Sequence, residues 1–171
     1  HGVGNSGDNS NPTNHSLSNK NPRHTTRNVT VSIYNASNAL AASVSSTITY
    51  SSASGSFIGT VYVPNLQQNE YIVRILSPLH LRRLVDGIQT LNPNTTHALP
   101  AVSLIAGDAD SNNVLNILDY NLLIDCYSDL AAATVTCTPE KKLTTDFNDD
   151  SFVNQVDYNL FLREIIVQNG N

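Results

Sequence analysis

The chain contains no methionine and no tryptophan, and only 13% of its 171 residues are charged. Lys and Arg together number nine, and the net charge is -5. A chain this poor in cations has no basic stripe with which to displace counterions from phosphates, so nucleic acid is not an expected partner. No apolar run approaches the ~18 residues of a membrane-spanning helix. The motifs GxSxG, HExxH, GxGxxG and the P-loop are absent, and the histidines at 1, 15, 24, 80 and 97 share no ligand spacing. Catalysis is therefore not expected, and His80 and His97 are expected at the surface or on an edge. Without tryptophan, aromatic platforms for sugar rings would have to come from Tyr34, Tyr50, Tyr62 and Tyr71, several of which belong to the expected core. A chain that begins at His1 and has no Met is expected to be a processed product or a piece of something longer.

What is present is Asn, Ser and Thr around a hydrophobic fraction of 40%, a mixture that suits a β-rich extracellular protein. The two cysteines, Cys126 and Cys137, lie in no zinc-ligand pattern. They form a disulfide in an oxidising compartment or remain two buried thiols. The disulfide is the preferred reading.

The composition divides the chain into three. Residues 1–26 are polar, with Val3 and Leu17 as the only aliphatics. Alone, such an arm cannot offset its ordering entropy. It is expected to lie along its own chain or to pair with a neighbouring one. Residues 27–105 alternate polar and apolar in short runs: 28–34, 46–50, 57–63, 71–76, a broken run over 80–91, and 98–104. Runs at this spacing predict an antiparallel β-sandwich. Residues 106–171 predict helices over 117–127 and 155–167. No Gly/Ser or Pro-rich linker separates the two parts, so rigid docking is expected. Arg82-Arg83 reads as an exposed strand or loop face, or else as a small anion patch. The sequons at Asn14, Asn28, Asn35 and Asn94 matter only where the source glycosylates.

The strongest signal is an internal repeat. Residues 108–119 read DADSNNVLNILD and residues 146–157 read DFNDDSFVNQVD, and each is followed by Tyr-Asn-Leu. Oxygen side chains recur at the first, third and fifth positions: Asp108, Asp110 and Asn112, then Asp146, Asn148 and Asp150. The seventh position would offer a main-chain carbonyl, from Val114 and Phe152. Asn116 and Asn154 occupy the ninth, and the twelfth is a carboxylate, Asp119 or Asp157. That is the spacing by which one loop wraps a hard cation with oxygens, so two Ca²⁺ are expected. The bland reading is a pair of Asx turns and helix caps with no ion. The sixth position, usually Gly because the turn is left-handed, is Asn113 and Ser151. Asn tolerates that conformation and Ser does so poorly, so the second site is expected to be the weaker.

Duplicated calcium loops, each leading into one helix, resemble dockerins over about residues 106–169. The resemblance rests on Gly107-Asp108, on Asn116-Ile117-Leu118-Asp119, and on Asp146 through Leu160. It implies an all-α module with two calcium ions that attaches a protein to a cohesin-like domain. It also implies that the tenth and eleventh loop positions, Ile117-Leu118 and Gln155-Val156, help choose the partner. Ile117-Leu118 is apolar where a hydroxyl pair is common, and burial against the adjacent β part is the competing explanation. The β part is similar in pattern to prealbumin-like or Ig-like companion modules.

The expectation is therefore an α+β chain of two modules, an antiparallel β-sandwich followed by an all-α calcium module. Its expected role is that of a non-catalytic, extracellular or cell-surface recognition protein. The alternatives are a structural subunit of a calcium-stabilised filament or surface assembly, pairing with copies of itself as a homopolymer, and a carbohydrate-binding module.

Overall fold

The structure, a computed structural model, describes residues 1–4, 18–128 and 137–171. His15, Leu17 and the sequon at Asn14, together with most of the polar arm, lie outside the described residues.

Eight strands precede three helices. The strands are β1 (Thr26–Tyr34), β2 (Leu40–Ser51), β3 (Ser56–Ile58), β4 (Asn69–Leu76), β5 (His80–Leu81), β6 (Arg83–Leu84), β7 (Gln89–Leu91) and β8 (Ile105–Ala106). The helices are α1 (Ile117–Cys126), α2 (Pro139–Thr145) and α3 (Gln155–Glu164). All strand pairs are antiparallel. The main sheet has the order β3-β2-β1-β4-β6, with β7 also on β4, and β5 pairs with β8 in a separate ribbon.

Strand β1 shows why the sheet forms here. Val29, Val31 and Ile33 point inward and are buried, while Asn28, Thr30, Ser32 and Tyr34 face outward. This two-residue period buries one face only. Fully buried Val73 and Val85 extend that face, and such side chains contribute about 1.5–3 kcal/mol each. Of the four tyrosines, Tyr71 enters this core, Tyr34 and Tyr50 are half-buried, and Tyr62 is 80% exposed.

The antiparallel β part is present, but the second sheet of a sandwich is absent among the described residues. Two expected strands are instead irregular chain: 98–104 entirely, and 59–63 beyond the short β3. Val61, Val63, Leu99 and Val102 still pack on the inner face of the main sheet. Their alternation is real, but Pro64 and Pro100 have no N–H to give a ladder. The sheet is therefore covered by extended coil.

The helical part shares a core with the β part. Leu81 and Ile105 of the β5-β8 ribbon pack with Leu115, and Ile165 joins them. A larger cluster, centred on Leu123, Phe147, Leu160 and Phe161, lies within the helical part. Helix α2 was not expected from the sequence. Its seven residues are too few to show a helical period, yet Thr138 caps it by accepting from the Lys141 N–H, and Pro139 starts it. Helices α1 and α3 end earlier than their sequence ranges, at Cys126 and Glu164.

Cys126 and Cys137 form a disulfide that joins the end of α1 to the approach to α2. Closing a loop of this length stabilises by roughly 3 kcal/mol in the chain-entropy model. The double variant Cys126→Ser/Cys137→Ser should lose about that much in urea unfolding. An unchanged midpoint would show the bridge to be dispensable.

His80 is buried at 7% exposure rather than lying at the surface, and its Nδ1 sits 2.8 Å from the Pro78 carbonyl. Burial, and then the positive field of Arg27, push its pKa down from 6.5 to about 4. The folded protein thus keeps His80 neutral where the unfolded chain takes up a proton. Its contribution is complete above pH 6.5 and is lost as pH falls towards 4; over that window it amounts to about 3 kcal/mol. Proton NMR should place the His80 titration near pH 4, and a midpoint near 6.5 would contradict its burial. His97 is half-buried in a turn, where its Nε2 accepts from the Asn92 N–H at 2.8 Å.

Candidate metal centre

Both Asp-rich loops fold through the same set of hydrogen bonds. The first-position carboxylate grips the middle of its own loop. Asp108 accepts from the N–H groups of Asn112 and Asn113, both at 2.9 Å. Asp146 accepts from Asp150 at 3.0 Å and Ser151 at 2.7 Å. Fifth-position oxygens accept from the seventh residue, Asn112 from Val114 and Asp150 from Phe152. Third-position oxygens accept from the fifth residue, Asp110 from Asn112 and Asn148 from Asp150.

The ninth and twelfth positions open the helices. Asn116 and Asn154 are N-caps, accepting from Leu118 and Val156 at 2.7 Å in each case. Asp119 and Asp157 close capping boxes by accepting from the cap N–H groups, at 2.9 and 3.0 Å. The other oxygen of each reaches back across its loop, Asp119 to the Asp110 N–H and Asp157 to the Phe147 N–H. The last carboxylate is thus held both at the start of its helix and by backbone N–H groups near the start of its own loop.

The turn itself is left-handed at two places in each loop. Ser111 and Asn113 have φ of 60° and 67°, and Asp149 and Ser151 have 57° and 79°. Ser151 adopts the conformation that its side chain disfavours. Its Oγ accepts from Arg23 Nη1 at 2.8 Å.

Charge is concentrated without cations among the ligand positions. Asp119 and Asp157 have no exposure and Asp108 has 1%. Burial pushes the Asp108 carboxyl up to about 6 and Asp157 up to about 7, against the opposing pull of backbone N–H donors. Asp119 and Asp146 are raised for the same first cause. Desolvated carboxylates resist ionisation unless a cation stands beside them. In the first loop, Asp108, Asp110 and Asp119 each bring a carboxylate oxygen within 4.8 Å of the others, the only such trio of acidic, His or Cys side chains among the described residues. An all-oxygen donor set of this kind suits a hard divalent cation and lacks the N and S ligands of zinc or copper sites. Asp146, Asp150 and Asp157 share the frame but do not close to that separation.

Each loop is braced from outside by a distant piece of chain, which nothing local in the sequence announces. The C-terminal residues cross the first loop, where Leu115 donates to the Gln168 carbonyl and Gly170 to the Asn113 carbonyl. Arg82 joins them, its N–H donating to Asn113 Oδ1 at 2.7 Å. Its main chain thus tethers the first loop, and its guanidinium Nε donates to the Asn171 carbonyl. The described end of the polar arm crosses the second loop. Asn19 Nδ2 donates to the carbonyls of Asn148 and Asp149, and the Arg23 N–H also donates to Asp149. The Asp149 carboxylate faces out of its loop and receives the His24 N–H at 2.9 Å, His24 Nδ1 at 2.6 Å and Arg27 Nη2 at 3.3 Å. Residues 1–4 pack nearby, with Val3 bridging to Asn19 and His1 Nδ1 2.7 Å from Glu164.

Ile117 and Leu118 are 63% and 55% exposed, so burial against the β part does not account for them. In the second loop Gln155 is exposed, whereas Val156 packs against the helical core. The two loop faces therefore differ in shape as well as sequence.

No protein-family model matches the chain. No curated protein matches it either. A chain of a solved type II Cohesin-X-Dockerin complex from Acetivibrio cellulolyticus, an N-terminal interface mutant, is similar to it over 80% of both chains, at 15% identity and a TM-score of 0.45.

Proposed function

We propose that the chain is a non-catalytic calcium-binding recognition module, dockerin-like in its C-terminal part, that attaches a secreted protein to a partner domain. The observation that carries this reading is the repetition of one hydrogen-bond frame in two loops, with three carboxylates converging in the first. Capping alone would need one acid per helix. It gives no reason for further acids and amides at the first, third and fifth positions. Asp108, Asp110, Asn112, the Val114 carbonyl and Asp119 would hold the first ion. Asp146, Asn148, Asp150, the Phe152 carbonyl and Asp157 would hold the second. The bound ion supplies charge compensation for buried carboxylates and so fixes the starts of α1 and α3.

Fixed helix starts are what recognition requires here, because the exposed Ile117 and Leu118 stand in the first turn of α1. The disulfide supports an oxidising, extracellular setting. Binding to a set of purified cohesin domains should be measured by calorimetry, with calcium and after chelation. Calcium-dependent binding that Ile117→Asp/Leu118→Asp abolishes is the expected result. Binding by no cohesin in the presence of calcium would remove the dockerin-like role.

A further inference from the structure

Strand β2 is long and poorly covered. On one side it pairs with β1 from Leu40 to Thr49, and on the other it pairs with β3 only from Thr49 to Ser51. Gly59 then passes against Ile48, where even an added Cβ would stand 2.8 Å from the Ile48 side chain. Among the described residues, no ladder covers the outer edge from Leu40 to Thr47. That stretch, LAASVSST, contains no charge, no proline and no glycine. Natural sheets blunt such edges with lysine, proline or a bulge. Here the only irregularity is the register shift opposite Ile33 and Tyr34, at one end.

We infer that this edge of β2 pairs antiparallel with the same edge of a second copy of the chain, about a dyad at Val44. The sequence favours a copy of itself over a foreign strand for two reasons. First, a dyad at Val44 sets Ala42 against Ser46 and Ser43 against Ser45, so inward residues meet inward ones and outward residues meet outward ones. The alternation of β2 is thereby preserved across the new pair. No like charges oppose one another, because the stretch carries none. Second, two large apolar side chains are stranded at the ends of the edge on the same outward face. Leu40, opposite Tyr34, and Ile58, opposite Thr49, are each 58% exposed. The dyad sets Leu40 of one copy opposite Ile48 of the other, so the new ladder closes at Ala41 and Thr47, and Leu40 abuts Gly59 and Ile58 at the end of β3. One strand pair is smaller than a standard interface, so association belongs in the micromolar range.

Sedimentation equilibrium of the whole chain tests this from low to several hundred micromolar. The expected result is a reversible monomer–dimer equilibrium. Ser43→Lys/Ser45→Lys sets like charges against each other twice across the dyad and should weaken the dimer at least about tenfold. Ser43→Lys/Ser45→Glu sets opposite charges there and should restore it. Both sites are exposed and lie on the outward face, so circular dichroism should be unchanged in each variant. A wild-type monomer at every concentration would overturn the proposal and leave the edge to a foreign extended peptide. So would a dimer indifferent to the double lysine, or one that the charge-swapped variant fails to restore.

Discussion

Chelating calcium from the intact protein should lower its free energy of unfolding by about 5 kcal/mol. A ligand that binds only the folded state at a hundredfold excess over its Kd contributes about 2.7 kcal/mol, and there are two loops. Without the ion each loop confines carboxylates that burial has already pushed up, Asp108 to about 6 and Asp157 to about 7. These pKa values also give the pH dependence its sign. A carboxyl raised above its unfolded value binds more protons when folded, so the calcium-free protein gains stability from these groups as pH falls through about 7 towards 4. The calcium-loaded protein does not share that gain, since protons and calcium compete for the same oxygens. The difference between the two should therefore be largest above pH 7 and should narrow at pH 5. Urea unfolding with and without chelator at both pH values measures it. An equal difference at both would mean that these carboxylates are not the ion's ligands.

The second large effect lies outside the ligand set. Asp149→Asn should cost about 3 kcal/mol. Asp149 is 4% exposed and compensates Arg27, whose side chain is only 19% exposed and whose pKa burial drives down. Removing one member of a buried pair leaves the other charge without compensation, and that penalty exceeds what an exposed pair is worth. His24 adds little, because its side chain is 56% exposed. Asn keeps the volume and accepts the left-handed φ of 57°, so the substitution isolates the charge. Arg27→Met alone should cost less, and in the double variant most of the Asp149→Asn cost should vanish. A loss below about 1 kcal/mol for Asp149→Asn would show that the brace carries no weight. The calcium count should stay at two, since Asp149 points out of the loop.

The loops were legible in the sequence because their order is local. The hydrogen bonds that repeat between the two loops join residues within one twelve-residue segment, and each helix start is written in the Asn at the ninth position and the Asp three residues later. The braces were illegible for the opposite reason. Nothing near Asp149 announces Arg27, and nothing near Asn113 announces Arg82. The first half of β2 was missed because Ala and Ser carry little of the β-branched signal that marks a strand. Residues 98–104 misled in the other direction. They alternate like a strand because they pack like one, but proline denies them a ladder. His80 looked like a surface residue because its environment is set by the β5-β8 ribbon and by Arg27, both distant in the sequence.

The central claim is that both loops bind calcium, and calorimetric titration of calcium into the chelated protein tests it most directly. The account predicts two ions per chain in the wild type, one in Asp119→Ala and one in Asp157→Ala. No saturable binding at millimolar calcium would contradict it and would reduce both loops to capped turns.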